Sequence, residues 1–226
     1  MNLSGAQKSS KDMYLMSSSK DGCLRLWDVN VQFCVDVIPS AKNEVTGFLK
    51  MPMLGANIYM YCTNTEDLVF LELGETKSDE GSVMTKNYQE RGRFKRDKFS
   101  KVNKLVCDYD RNLVFLVNEK NGIEVLRVLT EADVLKKWKR KLKRKGEKKP
   151  KHGEMAAQED DESQTKEEYL ADFGNFVTEI QTKSFKEKIT DVKFIQNYNS
   201  QLKNLLVVFY SKNYFDVFNI EEEKSS

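Results

Sequence analysis

Apolar and polar positions alternate in short runs along most of the chain, and one six-residue pattern recurs four times, at Leu24–Val29, Leu68–Leu73, Ile123–Val128 and Phe215–Ile220. In every copy the first, third, fourth and sixth positions are apolar and the fifth is polar. Such alternation predicts β-strands with a buried face. Each copy follows a β-rich segment and a turn: Tyr14–Ser19 before Lys20-Asp21-Gly22, Ile58–Cys62 before Asn64-Thr65-Glu66, Leu113–Val117 before Lys120-Asn121-Gly122, and Leu205–Tyr210 before Lys212-Asn213-Tyr214. Asp-Gly and Asn-Gly accept the positive φ of a tight turn, so four β-hairpins are predicted.

A third element recurs upstream of the last three hairpins, at Val45–Leu49, Val102–Val106 and Ile189–Phe194. One more candidate strand precedes each of these: Phe33–Ile38, Ser82–Thr85 and Phe176–Thr182. Four short antiparallel strands repeated in this way are the sequence signature of an all-β propeller. The stretch Ser19–Asp28, which reads Ser-x-Asp-Gly-x-Leu-x-Leu-Trp-Asp, is the recognisable piece of a WD repeat. Trp27, Leu71, Leu126 and Phe218 are then equivalent core positions, and Leu26, Phe70, Val125 and Val217 share one inward register.

The hairpin strands start 44, 55 and 92 residues apart. A WD blade takes about 40 to 45 residues, so the second interval carries a short insertion, within Gly74 to Lys98, and the third a longer one, from Thr130 to about Gly174. The expected organisation is WD-type blades over 1–129, a charged insertion over 130–174 and a further blade over 175–226, or about three and a half blades. An open arc leaves strand edges and inner faces unpaired. The chain is therefore expected to be part of something larger, a piece of a longer protein or half of a ring completed by a partner.

Charged residues make up 32% of the 226 residues, yet the formal charge is only +2. No apolar run approaches the roughly 20 residues of a membrane-spanning helix, and the first eleven residues lack the apolar stretch of a secretory signal. An intracellular protein with no membrane partner is expected. Cys23, Cys34, Cys62 and Cys107 form no C-x-x-C, and His152 is the single histidine. No zinc site can be assembled from that set, and the four cysteines are expected to be small buried apolar side chains.

The balanced charge hides strong segregation. Thr130 can cap a helix whose first turn carries Glu131 and Asp133, and Leu135, Trp138 and Leu142 form a narrow apolar stripe along it. From Lys136 to Lys151 eleven basic residues stand against one acid, and from Glu154 to Glu168 seven acids stand against Lys166. A basic helix followed by an unstructured acidic linker is expected, with the linker able to fold back and shield the helix. The stripe would dock the helix on the propeller rim while Lys137, Arg140, Lys141, Arg144 and Lys145 meet phosphates. A second basic cluster, Arg91, Arg93, Lys95, Arg96 and Lys98, interleaves with Phe94 and Phe99. Rings among cations suit single-stranded bases, which makes Arg93 and Arg96 further RNA-contact candidates in an expected loop; the alternative is a solvated loop leading into the strand at Val102.

Catalytic chemistry finds little support. His152 sits in a charge run with no partner on a stable scaffold, and no nucleophile elbow, phosphate-binding glycine loop or dinucleotide fingerprint occurs. Ser17-x-x-Lys20 and Ser163-x-x-Lys166 match a short hydrolase string without its companion motifs. The expectation is a non-enzymatic protein without cofactor or metal.

The order of parts resembles the U3 small nucleolar RNA-associated WD-repeat family of Utp12 (Dip2-like) type. A WD hairpin, a degenerate blade, the segment Gly122–Lys145, an acidic spacer and a closing blade ending Tyr214–Ile220 carry the resemblance, most specifically over Val125–Lys145. It implies a nucleolar scaffold of a UtpB-like subcomplex of the small-subunit processome, with other UtpB-type WD-repeat proteins, U3 snoRNA and pre-rRNA as partners in 18S maturation. The family is several times longer, and the Gly-His dipeptides of regular WD repeats are missing here. A general WD-type interaction scaffold, with Lys139–Lys145 as a nuclear localisation signal, is the competing expectation.

Overall fold

The computed structural model describes residues 14–30, 32–39, 44–64, 67–77, 84–96, 100–147, 164–195 and 205–219. Within them, strands follow one another into four antiparallel sheets. The first holds β1 (Tyr14–Ser18), β2 (Cys23–Asp28) and β3 (Phe33–Pro39). The second holds β4 (Val45–Lys50), β5 (Ile58–Thr63), β6 (Asp67–Lys77) and β7 (Met84–Lys95). β8 (Val102–Asp108), β9 (Leu113–Asn118), β10 (Gly122–Val128) and β11 (Val177–Ser184) form the third. β12 (Ile189–Ile195), β13 (Leu205–Tyr210) and β14 (Phe215–Asn219) form the fourth.

The four hairpins share one register. Leu15 faces Trp27, Tyr59 faces Leu71, Val114 faces Leu126, and Leu206 faces Phe218. At the turn end, Ser18 faces Leu24, Cys62 faces Leu68, Val117 faces Ile123, and Phe209 faces Phe215. A one-residue slip would reverse every side chain. The repeat read from the sequence is thus a repeat of structure.

The turns are longer than the two-residue form that Asp-Gly and Asn-Gly favour. Gly22, Asn121 and Asn213, with φ of 81°, 57° and 61°, occupy equivalent positions. Their amides donate to the carbonyls of Ser19, Asn118 and Tyr210 at 3.2, 3.2 and 3.3 Å. This is a turn closed by a residue in the left-handed region, which glycine and asparagine tolerate best. In the third hairpin Asn121, and not the following Gly122, takes the positive φ.

Successive sheets bury their facing sides in three separate cores. Leu24 and Ile38 of the first sheet meet Tyr61, Val69 and Leu71 of the second. The opposite face of the second, with Met60, Leu68 and Phe70, meets Val114, Leu116 and Leu126. Phe115, Ile123 and Val125 in turn meet Leu206, Val208 and Tyr210. Side chains pointing alternately to either face therefore serve two different interfaces, and both inner sheets are buried on both sides. The architecture is an arc of a β-propeller.

Leu71 and Leu126 are buried as expected, whereas Trp27 and Phe218 are only half-buried. Trp27 lies on the outer face of the first sheet, where the described residues provide no neighbouring sheet, and its indole N–H donates to Ser17 Oγ at 2.9 Å. Leu26, Phe70 and Val125 are buried, but Val217 is exposed because it lies on the corresponding free face of the last sheet. Of the cysteines, Cys62 alone is fully buried; Cys23, Cys34 and Cys107 are half-buried free thiols.

Candidate nucleic-acid interface

The longer insertion forms α1 (Glu131–Glu147), then α2 (Lys166–Ala171) and a short 3-10 helix, Phe173–Phe176. Thr130 begins α1: the Asp133 amide donates to Thr130 Oγ1 at 3.3 Å, and the acids of the first turn face the positive end of the helix dipole. α2 was not expected, because the acidic stretch through Glu168 reads as unstructured. Its start is a capping box, with Glu168 N donating to Thr165 Oγ1 at 3.2 Å and Thr165 N donating to Glu168 Oε2 at 2.8 Å. The string Thr165-x-x-Glu168 just before Tyr169 is the sequence signal for it. Acidic residues 154–163 and His152 lie outside the described residues.

Val134 and Trp138, four positions apart, anchor α1 in a small core with Tyr169, Phe173, Phe176 and Leu54 of the turn between β4 and β5. The expected stripe is therefore corrected. Leu135 is half-buried and Leu142 is exposed, while Val134 takes the central place. Docking is onto α2 and the 3-10 helix, and the 3-10 helix sits on β7. A Cβ on Gly92 would lie 1.8 Å from Asp172 Oδ1, and one on Gly174 would lie 1.9 Å from the Arg93 carbonyl oxygen. These two glycines let the insertion approach the strand.

Around α1, Lys137, Arg140, Lys141 and Arg144 are exposed, as are Lys136, Lys139 and Lys143. Successive residues turn by about 100°, so Lys136, Lys143 and Arg140 point most directly away from Val134 and Trp138. Lys136 and Lys143 were missed by sequence reading because the stripe was assigned to the wrong leucines. Lys141 sits nearer the docked side, with Nζ 5.6 Å from the Tyr169 ring centroid. Lys145 lies in the helix, and its side chain is outside the described residues. Partial desolvation, then repulsion from Lys141, lowers the Lys137 pKa.

The second basic cluster is not a loop. Its residues through Lys95 belong to β7, which pairs with β6 over the long hairpin of the shorter insertion. Arg93 is bound by Glu90 through Nη2 at 2.9 Å and lies 3.6 Å from Asp67; the Glu90 hydrogen bond chiefly holds its pKa above the ordinary value. Arg91 pairs with Glu72 at 3.3 Å, and Phe94 packs into the core between the second and third sheets. Arg96 is buried, its guanidinium 3.1 Å from Glu124 Oε1 and 2.8 Å from the Ser100 carbonyl. It cannot reach a phosphate from there, contrary to the RNA-contact role its charge suggests. Lys98 and Phe99 lie outside the described residues.

An open groove between β8 and β12 is lined by Lys104, Cys107, Asp108, Tyr109, Lys193 and Phe194. Burial pushes the Cys107 thiol up to about 12 and raises the Asp108 carboxyl. Among the described residues no group of three or more His, Cys, Asp or Glu side chains is placed to hold a metal ion.

No family model matches the chain. Nuclear distribution protein nudF of Emericella nidulans is 58% identical over 35 residues, which is 16% of this chain and 8% of that protein. The Cps50 (Swd1) β-propeller domain of Myceliophteria thermophila aligns with a TM-score of 0.51 at 8% identity, over 92% of this chain and 50% of that domain. A computationally designed protein, Ika4, aligns with a TM-score of 0.49 at 13% identity, over 97% of this chain and 96% of that one. The chain thus spans a small part of nudF and half of the Cps50 propeller domain. Its fold is that of a partial β-propeller.

Proposed function

We infer that the chain is a non-enzymatic scaffold of a UtpB-like, U3 snoRNP-associated assembly acting in pre-18S rRNA processing, with α1 as its contact to RNA. The resemblance over Val125–Lys145 supports the assembly and a nucleolar location. The observation that carries the RNA contact is a helix fixed through Val134 and Trp138 whose remaining faces are exposed lysine and arginine. Fixing the helix lowers the ordering cost of binding, and each neutralised phosphate releases counterions. Arg93 contributes little, since its charge is already met by Glu90 and Asp67.

The test is the salt dependence of binding to a single-stranded RNA. Each phosphate contact contributes about −0.7 to the log-log slope. Replacing the outward-facing Lys136, Lys139, Arg140, Lys143 and Arg144 by Ala is expected to flatten the slope by two to three such contributions and to weaken binding to any sequence. An unchanged affinity removes the contact. Co-purification of pre-ribosomal RNA before and after deletion of residues 136–151 tests the assembly. Loss of nucleolar location with unchanged RNA recovery per nucleolar molecule would assign the segment to nuclear import instead.

A further inference from the structure

A second surface lies at the same end of the sheets as the start of α1. The turn between β8 and β9 carries Tyr109 and ends at Asn112, whose carbonyl accepts from the Val128 amide at 2.8 Å, two residues before Thr130 caps α1. Beside that turn runs the groove between β8 and β12, with a volume of about 450 Å³, inside the range of roughly 300 to 1,000 Å³ that small-ligand sites occupy. Both of its walls come from consecutive sheets of this chain, the third and the fourth. Those walls are tied together. Lys104 of β8 pairs with Asp191 of β12, and the Arg111 guanidinium lies 5.7 Å from the Phe194 ring centroid. Phe194 is in turn stacked on the buried Phe115, 6.2 Å away at 16°.

Tyr109, by contrast, is 47% exposed at the rim, and Lys193 on the opposite wall is exposed as well. Next to Tyr109, Asp108 Oδ2 and Arg111 Nη1 are buried 3.5 Å apart, and among the described residues neither atom has a hydrogen-bond partner. The groove thus combines a ring, a cation, and one acceptor and one donor with unused capacity. A nucleotide matches that set: its base offers a π-face and an edge of donors and acceptors, and its phosphate an anion.

We propose that this groove takes one base of the single-stranded RNA whose phosphates α1 contacts, with the base stacked on Tyr109, its edge turned to Asp108 and Arg111, and the adjoining phosphate on Lys193. The inference rests on the RNA reading of α1 and adds to it a contact with a base. Stacking is sequence-tolerant because every base has a π-face, so the groove raises affinity for RNA without selecting a sequence. Walls that are already tied lose little freedom on binding.

Fluorescence anisotropy of the 226-residue chain with a labelled single-stranded RNA of about twelve nucleotides tests it, beside an abasic strand of the same length that keeps the phosphates and lacks the bases. Tyr109→Ala is expected to weaken RNA binding about fivefold to a hundredfold, with the salt slope and the binding of the abasic strand unchanged. Tyr109→Phe keeps the ring and is expected to bind within about twofold of wild type. Lys193→Ala is expected to flatten the slope by about 0.7. Both side chains face solvent, and circular dichroism with thermal melting serves as the folding control. Equal RNA affinity of wild type and Tyr109→Ala overturns the proposal, as does an equal loss on the two strands. Loss of RNA binding in the α1 variant with Tyr109→Ala unaffected removes this site and leaves the α1 contact standing, whereas a wild-type chain that binds no RNA overturns both.

Discussion

Arg96, just beyond the end of β7, lays its guanidinium on the carboxylate of Glu124 in β10, and both side chains are almost wholly buried, at 0% and 4% exposure. The pair crosses the junction between the second and third sheets. Asn118 extends it: its Nδ2 donates to Glu124 Oε1 at 3.2 Å, while its Oδ1 accepts from the amides of Lys120 and Gly122 at 3.1 and 2.8 Å. A charged network thus ties the outer strand of one sheet to the turn of the next. Desolvation of two charges offsets much of their attraction, so the network's main effect is to fix how the sheets are aligned.

Removing one partner leaves a buried charge unmet. Arg96→Ala or Glu124→Leu is expected to cost about 3 to 5 kcal/mol each in urea denaturation. The double variant Arg96→Met with Glu124→Leu is expected to recover at least half of that loss. Strict additivity of the two losses would mean the residues do not act as a pair.

Gly92 and Gly174 make a second, purely steric prediction. Gly92 has φ 126°, and a Cβ at either glycine would fall within 2 Å of atoms across the contact between β7 and the insertion. The atom facing Gly174 is a backbone oxygen, which cannot rotate away. Gly174→Ala is expected to cost about 2 to 4 kcal/mol and to free α1 from the sheet, seen as faster amide exchange around Val134 and Tyr169. Unchanged protection there would separate the helices from the strand.

Trp27 and Leu126 occupy the same position in two hairpins and carry different loads. Leu126 has no exposed surface and lies in the core between the second and third sheets. Leu126→Ala is expected to cost about 3 to 4 kcal/mol. Trp27 faces outward with one hydrogen bond to Ser17, so Trp27→Ala in the dilute chain is expected to cost only about 1 to 2 kcal/mol. Chemical denaturation of both variants at low micromolar concentration checks the ranking, and equal losses would place a covering layer over Trp27.

Cysteine reactivity follows the same geometry. Cys107, with its thiol raised to about 12, and Cys62, fully buried with its thiol also raised by desolvation, lie in the inner sheets. At pH 8 the Cys107 thiolate is depleted about a thousandfold relative to an ordinary thiol, partly offset by its greater basicity as a nucleophile. Iodoacetamide is expected to modify Cys23 and Cys34 at least about tenfold faster than Cys62 and Cys107. Mass spectrometry of peptides over time reads the order directly, and equal rates would contradict the burial.

Local β-structure is legible in the order of residues alone: the six-residue alternation and its Asp-Gly or Asn-containing turns set the hairpins, because neighbouring segments of chain fix both turn and register. Thr130 likewise marked the start of α1, since a cap is satisfied by residues three positions away. Which side chains are covered was decided by tertiary structure alone. Trp27 and Leu126 obey one pattern, yet only the second has a sheet on its face. Arg93 and Arg96 read as the same exposed charge until β7 aligns with β6 and delivers Arg96 to Glu124, 28 positions away in the chain. Alternation tells a residue which way to point, while burial and charge pairing depend on what distant chain stands there to meet it.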